Sequence, residues 1–344
     1  MKKLVRLISY CSMAVAAFGA SAQTSTPAAC NGGNPIRFAE IGWDSGKFYT
    51  EIIRAILERG YGCKTDTVTG SSPITQAALL SGNLDVFVEY WQGRTESFET
   101  GAKEGRIQVV GELVEGGGLE GFYVPELVVK GDASRGIKAL APDLKTVSDL
   151  AKYKEIFKDE EDPSKGRIYN CPTGWACEKD NNQRMKAYGL EATYNNFRPG
   201  TGAALESAIS SAFQRGKPIV FSYFAPSSIL GKFKAIRLEE PAFSEKCWKT
   251  IHESTVPSPC GSASPATNLS VAMTSAFART NPDVASLVGK VRLQMPLLNG
   301  VIAEMSDKKT GADKMAVAFL RQHGEVWTQW VPAPVAAKVQ SSLK

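Results

Sequence analysis

The chain has 344 residues, with 40 Lys and Arg, 35 Asp and Glu, and a formal net charge of +5 at pH 7. Positive and negative side chains are interspersed, without the basic stripe that nucleic-acid-binding proteins present. The length suffices for about two domains, each with a hydrophobic core.

Residues 1–22 have the pattern of a secretory signal peptide. A basic start is followed by an apolar run to about Phe18 and by the small residues Ala20-Ser21-Ala22, a cleavage site before Gln23. The apolar run is too short to span a bilayer. We therefore expect export to the periplasm, with residues 23–34 forming a loose leader.

Six cysteines follow the predicted signal peptide. An even number in an exported protein indicates disulfide bonds. The sequence permits several pairings, and short separations favour Cys30–Cys63, Cys171–Cys177 and Cys247–Cys260. We expect no metal site, because there is no C-x-x-C motif and the only histidines are His252 and His323.

The first part of the chain alternates between strand and helix patterns. The predicted elements are strands over 35–42, 63–68 and 84–90 and helices over 48–59 and 73–80. This order predicts a parallel sheet with crossover helices. Trp43 and Trp91 each follow a strand end, where open α/β sheets bind ligands. One such Trp alone is more often a packing residue, but two at equivalent positions favour a site.

A second unit repeats this pattern after the chain crosses at about 131–140. Before the crossing, strands are predicted over 109–114 and 121–129. The later predicted elements are strands over 167–170, 218–223 and 268–273 and helices over 178–188, 203–214, 275–295, 308–322 and 333–343. Aromatic residues again follow a strand end, at Tyr223 and Phe224. We interpret Trp327 and Trp330 as packing residues.

Cys171 and Cys177 bracket a loop that contains Pro172, Gly174 and Trp175. A disulfide across this loop would hold Trp175 outward. Because a helix follows, the loop also presents free backbone N–H groups, which bind anions. An aromatic face for a cation beside amide donors for a carboxylate suits a zwitterion. The alternative is a stapled loop with a packed Trp, which is more common for a lone short disulfide.

From about Ile36 to the C-terminus, the chain resembles the periplasmic glycine betaine/proline betaine-binding proteins of ABC importers and their choline-binding relatives. The most specific match is Cys171-Pro-Thr-Gly-Trp-Ala-Cys-Glu178. Supporting matches are Leu84-Asp-Val-Phe87 ahead of Trp91 and Gly216-Lys-Pro-Ile-Val-Phe221 ahead of Phe224.

The resemblance implies an α/β fold with two lobes, each a central, mostly parallel sheet flanked by helices, and a ligand in the cleft between them. We expect lobe 1 to comprise residues 35–130 plus 264–344 and lobe 2 residues 131–263.

The resemblance also implies a cage of aromatic rings around a trimethylammonium group, with backbone amides holding a carboxylate. The implied ligand-binding residues are Trp43, Asp44, Trp91, Tyr123, Trp175, Ala176, Cys177, Tyr223 and Phe224. A quaternary ammonium cannot donate strong hydrogen bonds, so the ring quadrupole is its natural partner, contributing about 2 kcal/mol or more per desolvated contact. Phe224 stands where many betaine binders have a Trp.

Several residues depart from the family pattern. The acidic residue of choline binders lies two positions after its Trp, whereas here Ser45 holds that position and Asp44 follows Trp43 directly. Glu89 and Arg94 flank Trp91. Arg94 could bind a carboxylate, and Glu89 or Asp44 an ordinary ammonium. An alternative ligand is therefore another zwitterion, such as an amino acid (histidine, for example) or carnitine.

We expect a non-enzymatic receptor that binds a small quaternary ammonium or zwitterionic compound of the glycine betaine, proline betaine or choline type. It would act without a cofactor, as a monomer, and deliver the compound to an ABC permease and ATPase complex in the inner membrane. An exported hydrolase is disfavoured, because two isolated histidines offer no catalytic triad and there is no G-x-S-x-G motif. The sequence does not distinguish transport from delivery to a membrane sensor.

Overall fold

Two five-stranded sheets with the same topology form the centres of two α/β lobes. The structure is a computed structural model, and it describes residues 30–253 and 255–344. The first sheet contains β1 (Ile36–Ala39), β2 (Thr65–Val68), β3 (Val86–Trp91), β4 (Ile107–Val110) and β10 (Leu269–Thr274), in the order β2-β1-β3-β10-β4. The second contains β5 (Leu119–Pro125), β6 (Gly166–Tyr169), β7 (Tyr194–Phe197), β8 (Val220–Ala225) and β9 (Ala235–Arg237), in the order β7-β6-β8-β5-β9.

Both sheets are mixed, and in each of them four of the five strands run in the same direction, as expected for mostly parallel sheets. β1 is parallel to β2 and β3, and β10 is antiparallel to β3 and β4. The second sheet repeats this arrangement, with β6 parallel to β7 and β8, and β5 antiparallel to β8 and β9. In each sheet the antiparallel strand is the one that arrives from the other lobe.

This exchange places β5 in the second sheet, although the expected boundary assigned residues 119–130 to the first lobe. β10 lies in the first sheet, as expected. The chain therefore crosses between β4 and β5, earlier than predicted. The sequence offered little signal for this difference, because consecutive apolar strands look alike whichever sheet they join.

Helices flank both sheets. In the first lobe they are α1 (Asp44–Ile56), α2 (Ser72–Leu80), α3 (Glu96–Lys103), α9 (Ser275–Thr280), α10 (Pro282–Lys290), α11 (Met295–Asp307), α12 (Ala312–Gln322), α13 (Gly324–Trp327) and α14 (Ala333–Ser342). The remaining helices are α4 (Glu126–Lys130), α5 (Ala176–Ala187), α6 (Gly202–Arg215), α7 (Ser228–Lys232) and α8 (Glu245–His252). None of the helices in the described ranges is long and apolar enough to cross a membrane.

The predicted helix over 275–295 is divided into α9 and α10. Pro282 begins α10, and because proline has no backbone N–H it is favoured at the start of a helix. Trp327 and Trp330 are buried in the core of the first lobe, which confirms them as packing residues. The Trp327 indole donates a hydrogen bond of 2.8 Å to the carbonyl of Leu320.

The expected signal peptide, residues 1–22, and most of the expected leader lie outside the described residues. Within that leader, Cys30–Gly33 forms a tight turn in which Asn31 and Gly32 have φ angles of +50° and +60°. All three predicted disulfides are confirmed; they are Cys30–Cys63, Cys171–Cys177 and Cys247–Cys260.

The two segments that connect the lobes are bonded to each other. Gly118 donates a hydrogen bond of 2.7 Å to the carbonyl of Thr267 and accepts one of 2.9 Å from its amide. Gly117 has φ +74°, and a Cβ there would lie 2.6 Å from the Thr267 carbonyl oxygen. Only glycine fits this close approach, which fixes the point where the chain passes between the lobes.

A buried ion pair anchors α5 to the second sheet. Both side chains, of Arg184 on α5 and of Glu240 after β9, are only 1% exposed. Arg184 Nε donates a 3.0 Å hydrogen bond to Glu240, and the guanidinium lies 4.6 Å from the centre of the Phe122 ring. Two charges removed from water in this way depend on each other, because either one alone would be buried without compensation.

We therefore expect Arg184→Met to reduce the free energy of unfolding by about 3–5 kcal/mol, since it leaves Glu240 as an unpaired buried carboxylate. The matched control is Arg106→Met, which removes an ion pair whose side chains are 45% and 54% exposed. That change should cost about 1 kcal/mol or less. Urea unfolding followed by circular dichroism measures both, and similar midpoints for the two variants would contradict the anchoring role.

Candidate ligand-binding site

A cavity of about 850 Å³ lies between the lobes. Its lining includes residues at or beyond the carboxyl ends of β1 and β3 in the first sheet and of β6 and β8 in the second. Within each sheet these paired strands are parallel, so their carboxyl ends lie at the same edge. The cavity thus occupies the position at which open α/β sheets bind ligands.

Four aromatic residues of the lining occupy equivalent positions in the two lobes. Trp43 and Trp175 are the N-cap residues of α1 and α5, which follow the equivalent strands β1 and β6. Trp91 ends β3, and Phe224 lies near the end of the equivalent strand β8. The cavity wall is therefore assembled from the same two positions of a repeated topology.

Each ring of the first lobe contacts its equivalent in the second. The ring centres of Trp43 and Trp175 are 5.7 Å apart with an interplanar angle of 73°, and those of Trp91 and Phe224 are 5.7 Å apart at 83°. Trp175 and Phe224 are 5.8 Å apart at 66°. Aromatic rings favour such edge-to-face contacts. They join the four rings into one group, which we call the aromatic box.

Glu89 lies among these rings and is completely buried. Its Oε1 accepts hydrogen bonds from the indole N–H groups of Trp43 (2.7 Å) and Trp91 (3.3 Å) and from the hydroxyl of Ser45 (3.0 Å). Its Oε2 has no hydrogen-bond partner among the described residues. Burial raises the pKa of Glu89 to about 7, although the three hydrogen bonds oppose this shift.

The loop before α5 ends at Trp175, which lines the cavity. Gly174 has φ +92°, and the amide of Trp175 donates a 3.1 Å hydrogen bond to the carbonyl of Pro172. Ala176 and Cys177 line the cavity at the first turn of α5. Their amides donate no hydrogen bond to any other described group, so they are available to an anion.

The guanidinium of Arg94 is bonded to other groups of the protein. It is 6% exposed, and its Nη atoms lie 3.0 Å from carboxylate oxygens of Asp180 and of Glu120. The guanidinium also bonds the hydroxyls of Ser264 and Thr267. Arg94 lines the cavity, but these four partners already engage its guanidinium, which disfavours it as the group that binds a ligand carboxylate. Arg94 instead joins the end of β3 to α5 across the cleft.

Three of the nine predicted site residues lie outside the cavity lining. Tyr223 stacks against Phe224, with ring centres 4.8 Å apart, and its hydroxyl donates a 3.0 Å hydrogen bond to Glu206. Tyr123 stacks on Phe221 in the second sheet. Asp44 begins α1 but does not line the cavity. Only Tyr223 therefore supports the box, from behind Phe224.

The sequence reasoning missed several lining residues. His252 is isolated in the sequence, yet its Nδ1 lies 3.0 Å from Asp180 Oδ1, and this bond raises the pKa of His252. The two residues are 72 positions apart, so no local pattern relates them. Gln76 and Lys179 also line the cavity without a sequence signal. Glu89, in contrast, stands out in the sequence as a charged residue within an otherwise apolar strand.

Residues 34–322 match the family described as the substrate binding domain of the ABC-type glycine betaine transport system. The chain belongs to this family. Its members are substrate-binding receptors of ABC transport systems, so the chain is a receptor and not an enzyme.

Individual relatives agree with this assignment. The chain is 25% identical over 235 residues to the glycine betaine/proline betaine-binding periplasmic protein of Escherichia coli K12, a match covering 64% of this chain and 70% of that protein. It superposes on the glycine betaine, L-proline-binding protein of Borrelia burgdorferi with a TM-score of 0.69, at 15% identity, covering 89% of this chain and all of that one. It superposes on an ABC-transporter choline binding protein in complex with choline with a TM-score of 0.67, at 18% identity, covering 90% of this chain and 98% of that one. These structural matches confirm the two-lobed fold.

The raised pKa of Glu89 predicts a pH-dependent effect on stability without ligand. The pKa is about 7 in the folded protein, against an ordinary value of 4.5, so folding favours the protonated acid. Ionisation of Glu89 therefore lowers the free energy of unfolding as pH rises from about 4.5 to about 7. Above pH 7 this free energy has fallen by at most about 3 kcal/mol. We expect Glu89→Gln to raise the melting temperature at pH 8 and to have little effect at pH 5.

Differential scanning fluorimetry of the ligand-free protein measures this difference. Glu206, whose pKa burial also raises to about 7, is present in both proteins and cancels in the comparison. An equal change in melting temperature at both pH values would show that Glu89 does not titrate as described.

Proposed function

We propose that this chain is a periplasmic receptor that binds a small compound with a quaternary ammonium group in the aromatic box and delivers it to an ABC permease and ATPase complex. The observation that carries the proposal is the meeting of four aromatic rings, two from each lobe, at one interlobe cavity. The names of the relatives, which bind glycine betaine, proline betaine or choline, support the same ligand class.

The chemistry of the ammonium group explains why aromatic rings suit it. Four alkyl substituents leave no N–H to donate, so a carboxylate or carbonyl cage gains no strong hydrogen bond from it. The negative face of an aromatic ring attracts the diffuse positive charge and also contacts the methyl groups. Closing two lobes around the ligand removes water, which strengthens this attraction.

The proposed cellular setting rests on separate observations. The E. coli relative is a periplasmic protein, and the three disulfides suit an oxidising compartment. We also propose that the two lobes move as units around the crossing segments at Gly117–Thr267, that lobe 1 comprises residues 35–118 plus 268–344, and that the receptor acts as a monomer.

Removing a box ring tests the binding site. We expect Trp175→Ala and Trp91→Ala each to weaken binding of the best ligand by at least tenfold, because each removes a desolvated cation–π contact of about 2 kcal/mol. Phe243→Ala is the control, since this ring is 50% exposed and outside the cavity lining. Isothermal titration calorimetry measures the affinities. Wild-type affinity in both Trp variants would rule out the box as the binding site.

A ligand panel tests the substrate class. Glycine betaine, proline betaine, choline, carnitine, histidine and proline are compared by thermal shift, since a ligand that binds only the folded protein raises its stability by RT ln(1 + [L]/Kd). We expect stabilisation by methylated ammonium compounds. Stabilisation confined to histidine or proline would exclude the quaternary ammonium class and favour an amino-acid receptor.

A further inference from the structure

Besides the pair Trp91 and Phe224, the two halves of the box differ at the position two residues earlier on the same strands. Glu89 lies two residues before Trp91 on β3, and Ser222 lies two residues before Phe224 on β8. Ser222 accepts a 2.7 Å hydrogen bond from Asn181. The first lobe therefore places a carboxyl group where the second has a satisfied hydroxyl. This asymmetry is not required by the fold, because the same topology accommodates either residue.

A local distortion of β3 places Glu89 in this position. The register with β10 shifts between Ser270 and Ala272, so that Val88 and Glu89 face the single residue Val271. Glu89 takes φ +58°, in the left-handed region that non-glycine residues rarely adopt. Such a conformation costs about 1–3 kcal/mol. Bulges often redirect a side chain beside a functional site.

The surroundings of Glu89 supply hydrogen-bond donors but no positive charge. Neutral groups of Trp43, Ser45 and Trp91 bond Oε1, and none of the ion pairs among the described residues includes Glu89. A completely buried carboxylate is costly unless a counter-charge compensates it. Its free Oε2 and the rings that surround it therefore favour the same partner, a cation.

The wider cavity is also acidic. The carboxyl groups that line it are Glu89, Glu96, Glu99, Glu120, Asp180 and Glu253. The described basic residues of the lining are Arg94, Lys179 and His252, and Arg94 is already bonded to Glu120 and Asp180. A ligand carboxylate would find the amides of α5 but would also face this excess of negative charge.

We infer that Glu89 is the counter-ion of the bound ammonium group and the residue that makes this site prefer ligands with a net positive charge, of the choline type, over zwitterions of the betaine type. The inference rests on the proposed function, because it assigns a charge preference to the aromatic box. Glu89 acts as a specificity-determining residue, with Trp43 and Trp91 holding one of its oxygens and the other left for the ligand.

Cation binding is then coupled to release of a proton from Glu89. A bound positive charge favours the carboxylate, so affinity for the cation increases as pH rises through about 7. Tyr49 on α1 is the titratable group beside Glu89, and the charged groups around the cavity are the carboxyl and basic residues named above. His252 also titrates in this range, so a comparison of variants is needed to isolate Glu89.

Calorimetric titration with three probes tests the inference. Choline and glycine betaine share a trimethylammonium group and differ in a hydroxymethyl or a carboxylate, and tetramethylammonium has neither. We expect the wild type to bind choline at least tenfold more tightly than glycine betaine at pH 8. Glu89→Gln should weaken choline and tetramethylammonium by at least tenfold and reduce the choline preference to within about threefold.

The matched control is Glu206→Gln, which neutralises another carboxyl group with a raised pKa outside the cavity lining. It should retain the wild-type preference. Between pH 7.5 and 5.5, wild-type choline affinity should fall by on the order of tenfold, and Glu89→Gln should remove most of this fall. Any pH dependence of choline affinity that remains in Glu89→Gln is attributed to His252.

The outcomes separate the inference from the proposed function. One outcome is that the wild type binds glycine betaine tightly and that Glu89→Gln changes neither the ligand preference nor the pH dependence of choline affinity. This outcome overturns the role of Glu89 and leaves the receptor function intact. If none of the three probes binds the wild type, the proposed function fails and the inference with it. Melting curves of both variants establish that each is folded.

Discussion

The site depends on one constraint, that half of the aromatic box belongs to each lobe. The ring contacts that cross the cleft join Trp43 to Trp175 and Trp91 to Phe224. The first half is held together by a single carboxylate oxygen of Glu89, which both indole N–H groups bond. The second half is fixed by the Cys171–Cys177 loop and by Tyr223 behind Phe224. Each half is thus ordered within its own lobe, and the ring contacts across the cleft join the two halves into the box.

Much of this arrangement could be predicted because it follows local rules. Strand ends followed by a tryptophan identified Trp43 and Trp91, and a short cysteine spacing identified the loop of Trp175. The three disulfides join cysteines that are close in sequence, so proximity along the chain sufficed to pair them. Parallel strands bring their carboxyl ends to one edge, which explains why residues far apart in sequence meet in the cavity.

The parts that could not be predicted depend on long-range partners. Arg94 and Asp180 are 86 residues apart, so the sequence could not show that the guanidinium was already occupied. The placement of β5 in the second sheet leaves no mark on hydrophobic periodicity. Glu89 was visible as a charge in an apolar strand. The direction of its side chain, however, depends on a bulge formed with a strand about 180 residues later, which the alternation of apolar and polar residues does not predict.

The contacts of Arg94 have a further consequence for how affinity and selectivity are divided. Its partners Asp180, Glu120 and Ser264 are all groups of the protein. The same is true of another contact between the lobes, where the Ser227 amide donates a hydrogen bond to Asn299. In the proposed closure of the lobes, these bonds would contribute the same free energy whichever compound is enclosed. They can strengthen or weaken the capture of all ligands together, and they leave discrimination between compounds to the few groups that contact the cargo itself. The two properties can therefore vary separately, the first through the cleft contacts and the second through the box.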